Sequence, residues 1–310
     1  LPTENQERRM EYNDVALDIN RTERNEWGKS VEELVRNSSH LPIAYDVDCT
    51  QYGTFSEYTY TEFLGGVFTK TQNSEINVRL YNELKDIPAR EDHLQRLKEI
   101  SGDKYESSSI FDQDVSLEEL PKKICFFVGE NMFDLISKEI ISRLVFENDD
   151  FFIKLHPITG DQPAAEIARM AGWHRVIQQE ISAFELLKAA EIVYSSSASE
   201  LAAAAVLFDK EIVNVANFFH ESSGCYYSIN KFLFQETDKE KRKVILNNLI
   251  DHPASGIIFP WMNDIKDRLK AFYDKTEEMR QFYKPLASPT FLRKQTPREI
   301  PIKDNDDNEA

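Results

Sequence analysis

From Pro121 onward the chain alternates short apolar runs with amphipathic stretches, and this alternation restricts the possible architectures more than any other feature. Ile124–Val128, Phe151–Leu155, Val176-Ile177, Ile192–Tyr194 and Ile212–Val215 read as buried strands. Between them the apolar spacing predicts helices over Met132–Phe146, Ala164–Ala171, Ser182–Ala190 and Ser199–Leu207, with Gly172 closing the second and Ser182 as N-cap of the third. Strands separated by helices of about ten residues build a parallel, doubly wound sheet with helices on both faces. The expected fold class is therefore α/β, with a Rossmann-like sheet in the C-terminal half.

The flanking regions have a different texture. Residues 1–40 form a polar extension in which Trp27, Val31, Leu34 and Val35 suggest one short amphipathic helix. Residues 41–70 crowd Tyr, Phe and Thr together, which favours strands or a packed aromatic loop region. Residues 76–100 have helical spacing interrupted at Pro88, and 101–121 read as a surface connector. Past Gln235 the alternation stops, and helices are expected over Lys239–Ile250 and Asp264–Tyr283. The expected organisation is an extension (1–40), an aromatic-rich region (41–120) that could be a degenerate Rossmann half, a nucleotide-sugar-binding unit (121–235), C-terminal helices (236–290) and an acidic, disordered tail (291–310).

A net charge of −17 argues against a broad duplex-binding face. Three cysteines at irregular spacing suggest neither a disulfide framework nor a zinc site, so reduced thiols in a reducing cytoplasm are expected. No apolar run is long enough to span a bilayer and no signal-peptide pattern is visible, so the expected location is the cytoplasm.

Two polar clusters stand where apolar runs stop. Lys154-Leu155-His156-Pro157 ends one, and Ser195-Ser196-Ser197, with Glu200 about a turn later, ends another. In open α/β sheets that edge binds ligands. Serines between a strand end and a helix start present hydroxyl and backbone donors to an anion, and a His there can neutralise charge on a leaving phosphate. Simpler roles are also open: Ser196 or Ser197 as an N-cap, and His156 satisfying a loop carbonyl.

The order strand–KxHP, helix, strand, helix, AxIVxSSSxxE, helix, DKEIVNV over residues 121–235 resembles the C-terminal half of GT-B glycosyltransferases. In particular it is similar to bacterial sialyltransferases, Kdo transferases and capsule or teichoic-acid polymerases with paired His-Pro and Ser-Ser motifs. The resemblance implies a metal-independent, inverting transferase with a nucleotide-sugar (CMP- or UDP-sugar) as co-substrate and no other cofactor. It implies donor contacts from Lys154, His156, Pro157, Ser195, Ser196 and Ser197, a ribose contact from Glu200, and a donor-lining loop from Phe218-Phe219 through Cys225-Tyr226-Tyr227. Asp209-Lys210-Glu211-Ile212 departs from the family's G-K-P-V, and residues 1–120 lack clean βαβ alternation, so the N-terminal half is atypical or reduced.

An inverting transfer needs a base, for which Asp46, Asp48 and Glu57 are the candidates, with Tyr45, Tyr52, Tyr58 and Tyr60 as a stacking platform. Asp46-Val47-Asp48 also fits the DxD pattern of metal-dependent transferases, as does Asp112-Gln113-Asp114. The expected acceptor is a glycan hydroxyl, with a hydroxymethylated base in DNA, as in phage-type DNA glycosyltransferases, as the alternative. A non-catalytic nucleotide-binding or assembly module and a sugar-nucleotide epimerase are the other readings.

Overall fold

The computed structural model describes residues 43–45, 58–71, 73–100, 119–127, 137–156, 159–177, 181–197, 199–216 and 225–283. Between Lys123 and Asn214 the described residues form five strands, β4 (Lys123–Phe126), β5 (Phe151–Lys154), β6 (Val176–Ile177), β7 (Ile192–Ser195) and β8 (Glu211–Asn214), which make one parallel sheet in the order β6-β5-β4-β7-β8. In order of appearance this is third-second-first-fourth-fifth, the doubly wound arrangement, and it bears out the Rossmann-like expectation. Alternation along β4 divides the core: Ile124 and Phe126 face one cluster, Cys125 and Phe127 the other.

The crossovers obey the same division. The helices after β4 and β5, α3 (Lys138–Glu147) and α4 (Asp161–Ala171), place Ile141, Ile167 and Ala171 with Cys125. Those before and after β7, α5 (Ala183–Ala189) and α6 (Leu201–Leu207), place Leu186, Leu187 and Ala203–Leu207 with Ile124. Helix α3 starts later than the apolar spacing predicts, because Ser137 caps it, its hydroxyl accepting from the Ile140 N–H. Ser182 does stand at the N-cap of α5, but its side chain makes no capping hydrogen bond. Among the described residues Cys225 is disulfide-bonded, which corrects the reading of the cysteines as reduced thiols. Cys125 is free, and burial pushes its thiol up to about 12, away from reactivity.

The aromatic-rich region contributes a second, mixed sheet in the order β1-β2-β3-β9. Strand β1 (Ile43–Tyr45) runs parallel to β2 (Tyr58–Phe63), which forms a hairpin with β3 (Gly66–Thr71), and β3 pairs antiparallel with β9 (Ile257–Ile258). The hairpin loop is the pair Leu64-Gly65, with φ of 51° and 85°, the left-handed pair that matches the twist of a two-residue connection. Gly66 has no room for a side chain, because a Cβ there would lie 2.5 Å from the Ile258 carbonyl oxygen and from the Phe259 ring. Thus segments expected in separate regions, 41–120 and 236–290, share one sheet.

Helices α1 (Ser74–Leu84), α2 (Leu94–Ile100), α7 (Tyr227–Gln235), α8 (Lys239–Asp251) and α9 (Ile265–Tyr283) complete the described α-helices, and a 3-10 turn, Trp173–Arg175, leads into β6. One apolar cluster joins the two sheets, from Tyr58, Phe63 and Phe68 through Ile229 and Leu246 to Ile124, Val193 and Ile212.

Candidate functional site

A doubly wound sheet opens a crevice at the carboxyl ends of its strands where the order reverses. Here the reversal lies between β4 and β7. Strand β7 ends in Ser195-Ser196-Ser197 and β5, on the other side of β4, runs into Leu155-His156. The two polar clusters singled out in the sequence thus flank one strand at one edge of one sheet.

Backbone hydrogen bonds carry the edge past the strands. Phe127 N–H donates to the Lys154 carbonyl at 2.9 Å, and Val215 N–H donates to the Ser195 carbonyl at 3.0 Å. The chain then turns: Thr159 N–H donates back to the His156 carbonyl at 2.9 Å, and Ser199 N–H to the Ser196 carbonyl at 3.3 Å. These bonds fix where both polar segments leave the sheet.

Burial distinguishes the predicted residues. Ser195, Ser196 and Ser197 are 0%, 0% and 2% exposed, so their hydroxyls belong to the interior of the edge. Lys154 is also buried, and its ammonium donates to the Leu155 carbonyl at 2.7 Å. His156 is half-buried. Just before helix α6 the Ser199 hydroxyl accepts from the Leu201 N–H at 3.1 Å. Helix α6 spans seven residues and begins after Glu200, so the serines precede its first turn.

Glu200 has a defined structural duty. Its Oε2 accepts from the Leu64 N–H at 2.9 Å, fastening the hairpin tip of the mixed sheet to the turn after β7. A ribose contact by Glu200 would have to share that carboxylate. Tyr226 is 9% exposed with its ring packed against Phe63 and Phe68, so it forms part of the core joining the sheets. Tyr227, expected in a loop, opens α7 instead. Tyr58, expected in an aromatic platform, is fully buried, its ring against Phe272 and Tyr273. Asp46, Asp48, Glu57, Pro157 and Phe218-Phe219 lie outside the described residues.

One participant was missed in the sequence. Asn230 on α7 is 0% exposed, and its Nδ2 donates to the carbonyls of Ser197 at 3.2 Å and Ser199 at 2.8 Å. It therefore holds the turn that follows β7. The spacing of Ile229, Phe232 and Leu233 is helical and could have revealed α7, but nothing local marks Asn230 as facing that turn.

Among the described residues no group of three or more His, Cys, Asp or Glu side chains is placed to hold a metal ion, and no helix is long and apolar enough to cross a membrane. A cleft of about 490 Å³ lies elsewhere, between the 88–98 segment and α8. Several of its polar linings are already engaged: Asn248 with Ala89 and Lys85, Asn247 with His93 and Glu91, and Lys98 and Lys243 with Asp209. Comparison with models of known protein families, with curated proteins and with solved structures gave no match.

Proposed function

We propose that the chain is a glycosyltransferase that takes a sugar from a nucleotide-sugar donor, with the donor phosphate held at the carboxyl edge between β5 and β7. The observation that carries this reading is that His156 and Ser195–Ser197 flank β4 where the strand order reverses. In the proposed reaction an acceptor hydroxyl oxygen attacks the anomeric carbon as its bond to the phosphate oxygen breaks. The hydroxyl proton passes to a base, for which Asp46, Asp48 and Glu57 are the proposed residues. The nucleotide leaves with the bonding electrons, and its added negative charge is met by the His156 imidazole and by the serine turn. The acceptor is proposed to be a glycan, since a net charge of −17 disfavours DNA.

The test is thermal stability against CMP, UDP, GDP, ADP and dTDP, for the unaltered chain and for His156→Ala. Ligand at about 100 times its dissociation constant adds roughly 2.7 kcal/mol. A shift with one nucleotide that His156→Ala abolishes is the expected result, and no shift with any of them removes the donor site. Burial of Ser195–Ser197 and Lys154 favours a second reading, a non-catalytic nucleotide-binding module. Donor consumption with sugar transferred to acceptor would exclude it. Donor epimerised without acceptor would instead identify an epimerase.

A further inference from the structure

The Asn230 carboxamide is half used. Both of its Nδ2 bonds go to backbone carbonyls, of Ser197 and Ser199, while Oδ1 has no hydrogen-bond partner among the described residues. The orientation of the amide is dictated by chemistry, because the reverse would set Oδ1 against two carbonyl oxygens. Oδ1 is thus a buried acceptor beside the turn that leaves β7, on a side chain with no exposure to solvent. Buried polar atoms in native proteins are nearly always satisfied, so this one calls for a donor.

We propose that Asn230 Oδ1 is the nucleoside-recognition acceptor of this site, receiving a hydrogen bond from a donor group of the bound nucleotide. The inference rests on reading the edge as a nucleotide site. Phosphate oxygens are themselves acceptors and would be repelled by Oδ1, so the anion-binding groups and Asn230 must contact different parts of one ligand. A nucleotide supplies both parts: phosphate for His156 and the serines, and a donor for Oδ1. That donor is a base N–H, either the exocyclic amine of cytosine, adenine or guanine or the ring N–H of uracil, thymine or guanine, or else a ribose hydroxyl. A bidentate amide contact to the base is excluded because Nδ2 is already committed.

Removing donors from the ligand tests this without disturbing the fold. Binding of the full chain would be titrated with CMP, UMP, GMP, AMP and dTMP, with analogues that lack each base N–H donor in turn, and with the 2′-deoxy forms of the ribonucleotides. Loss of the one donor that meets Oδ1 should weaken binding roughly ten- to hundredfold, because a buried acceptor is left unmet, while the other deletions change it about twofold or less. In Asn230→Leu that discrimination should vanish, and its persistence there overturns the assignment. Should Asn230→Leu fail to fold, a crystal structure of the unaltered chain with the tightest nucleotide decides. A ligand donor within about 3.2 Å of Oδ1 supports the proposal, and an ordered water in that place overturns it. Nucleotide binding indifferent to every donor deletion sinks this proposal alone, whereas no binding by any of them sinks the proposed function as well.

Discussion

The parallel sheet takes all its strands from one continuous stretch, Lys123 to Asn214, whereas the mixed sheet is closed only when Ile257-Ile258 returns to pair with the strand that begins at Gly66. The first is built from successive strand–helix units, each packing back on the sheet it extends. The second depends on pairing between distant parts of the chain and on two constrained positions, Leu64 with its left-handed backbone and Gly66 with no room for a Cβ. The segments carrying His156 and Ser195–Ser197 leave the first sheet and are braced by the second. Through Glu200 the mixed sheet holds the turn beside the serines, and through Tyr226 it shares a core with α7.

Removing a large buried ring from either sheet should have the largest effect. Phe68→Ala in the mixed sheet and Phe151→Ala in the parallel sheet should each cost about 3–5 kcal/mol, since both rings are 0% exposed. Denaturant unfolding should nevertheless show one transition in each variant, because one apolar cluster spans both sheets. Two separated transitions would show that the sheets fold independently.

Gly66→Ala probes the closure of the mixed sheet alone. A methyl group 2.5 Å from the Ile258 carbonyl oxygen must push β9 away, at a cost of about 1–3 kcal/mol in the same assay. An unchanged midpoint would mean that β9 pairs more loosely than its register implies.

Glu200→Ala leaves the part-buried Leu64 N–H without its acceptor and should cost about 1–3 kcal/mol, whereas Glu200→Gln, which keeps an acceptor oxygen, should cost less than about 1 kcal/mol. Equal losses in the two variants would mean that the negative charge, rather than the hydrogen bond, matters there.

The smallest expected effect is a pH response where α8 meets the segment leading to β9. Burial, then the Arg268 guanidinium, holds His252 below its usual range. A lowered histidine favours the neutral ring in the folded state, so its contribution is full above about pH 6.5 and is lost as pH falls through the lowered value. His252→Asn should flatten the slope of Tm against pH below about 6.5. A slope identical to that of the unaltered chain would assign the acid sensitivity elsewhere. Asp251 provides a second, more acidic step. Burial raises its carboxyl, but the Arg90 N–H and His93 outweigh burial and lower it. Its contribution is therefore lost only as pH falls below about 4.

The parallel sheet was legible because each strand–helix unit is local: apolar run, stop signal, periodic helix. Even the two-residue strand Val176-Ile177 could be read from its position between helices. Strand β9 is not legible in the same way, although Ile257-Ile258-Phe259 between Gly256 and Pro260 is a bounded apolar run, because its partner lies in another region of the chain. The site divides in the same way. His156 and Ser195–Ser197 announced themselves as polar residues at strand ends, but strand order, which brings them to either side of β4, is a matter of long-range pairing. The engagements of Glu200 with Leu64 and of Asn230 with Ser197 cross between elements, and no local spacing encodes them.

The return of Ile257-Ile258 to β3 also has a consequence for synthesis. A ribosome adding roughly 5–20 residues per second would release β9 on the order of ten to forty seconds after β3. Throughout that interval the edge of the Gly66–Thr71 strand that β9 later covers is open to other extended segments. The nascent chain therefore carries an exposed pairing edge throughout that interval, and slowed elongation between the hairpin and Ile258 should raise the share of protein lost to aggregation.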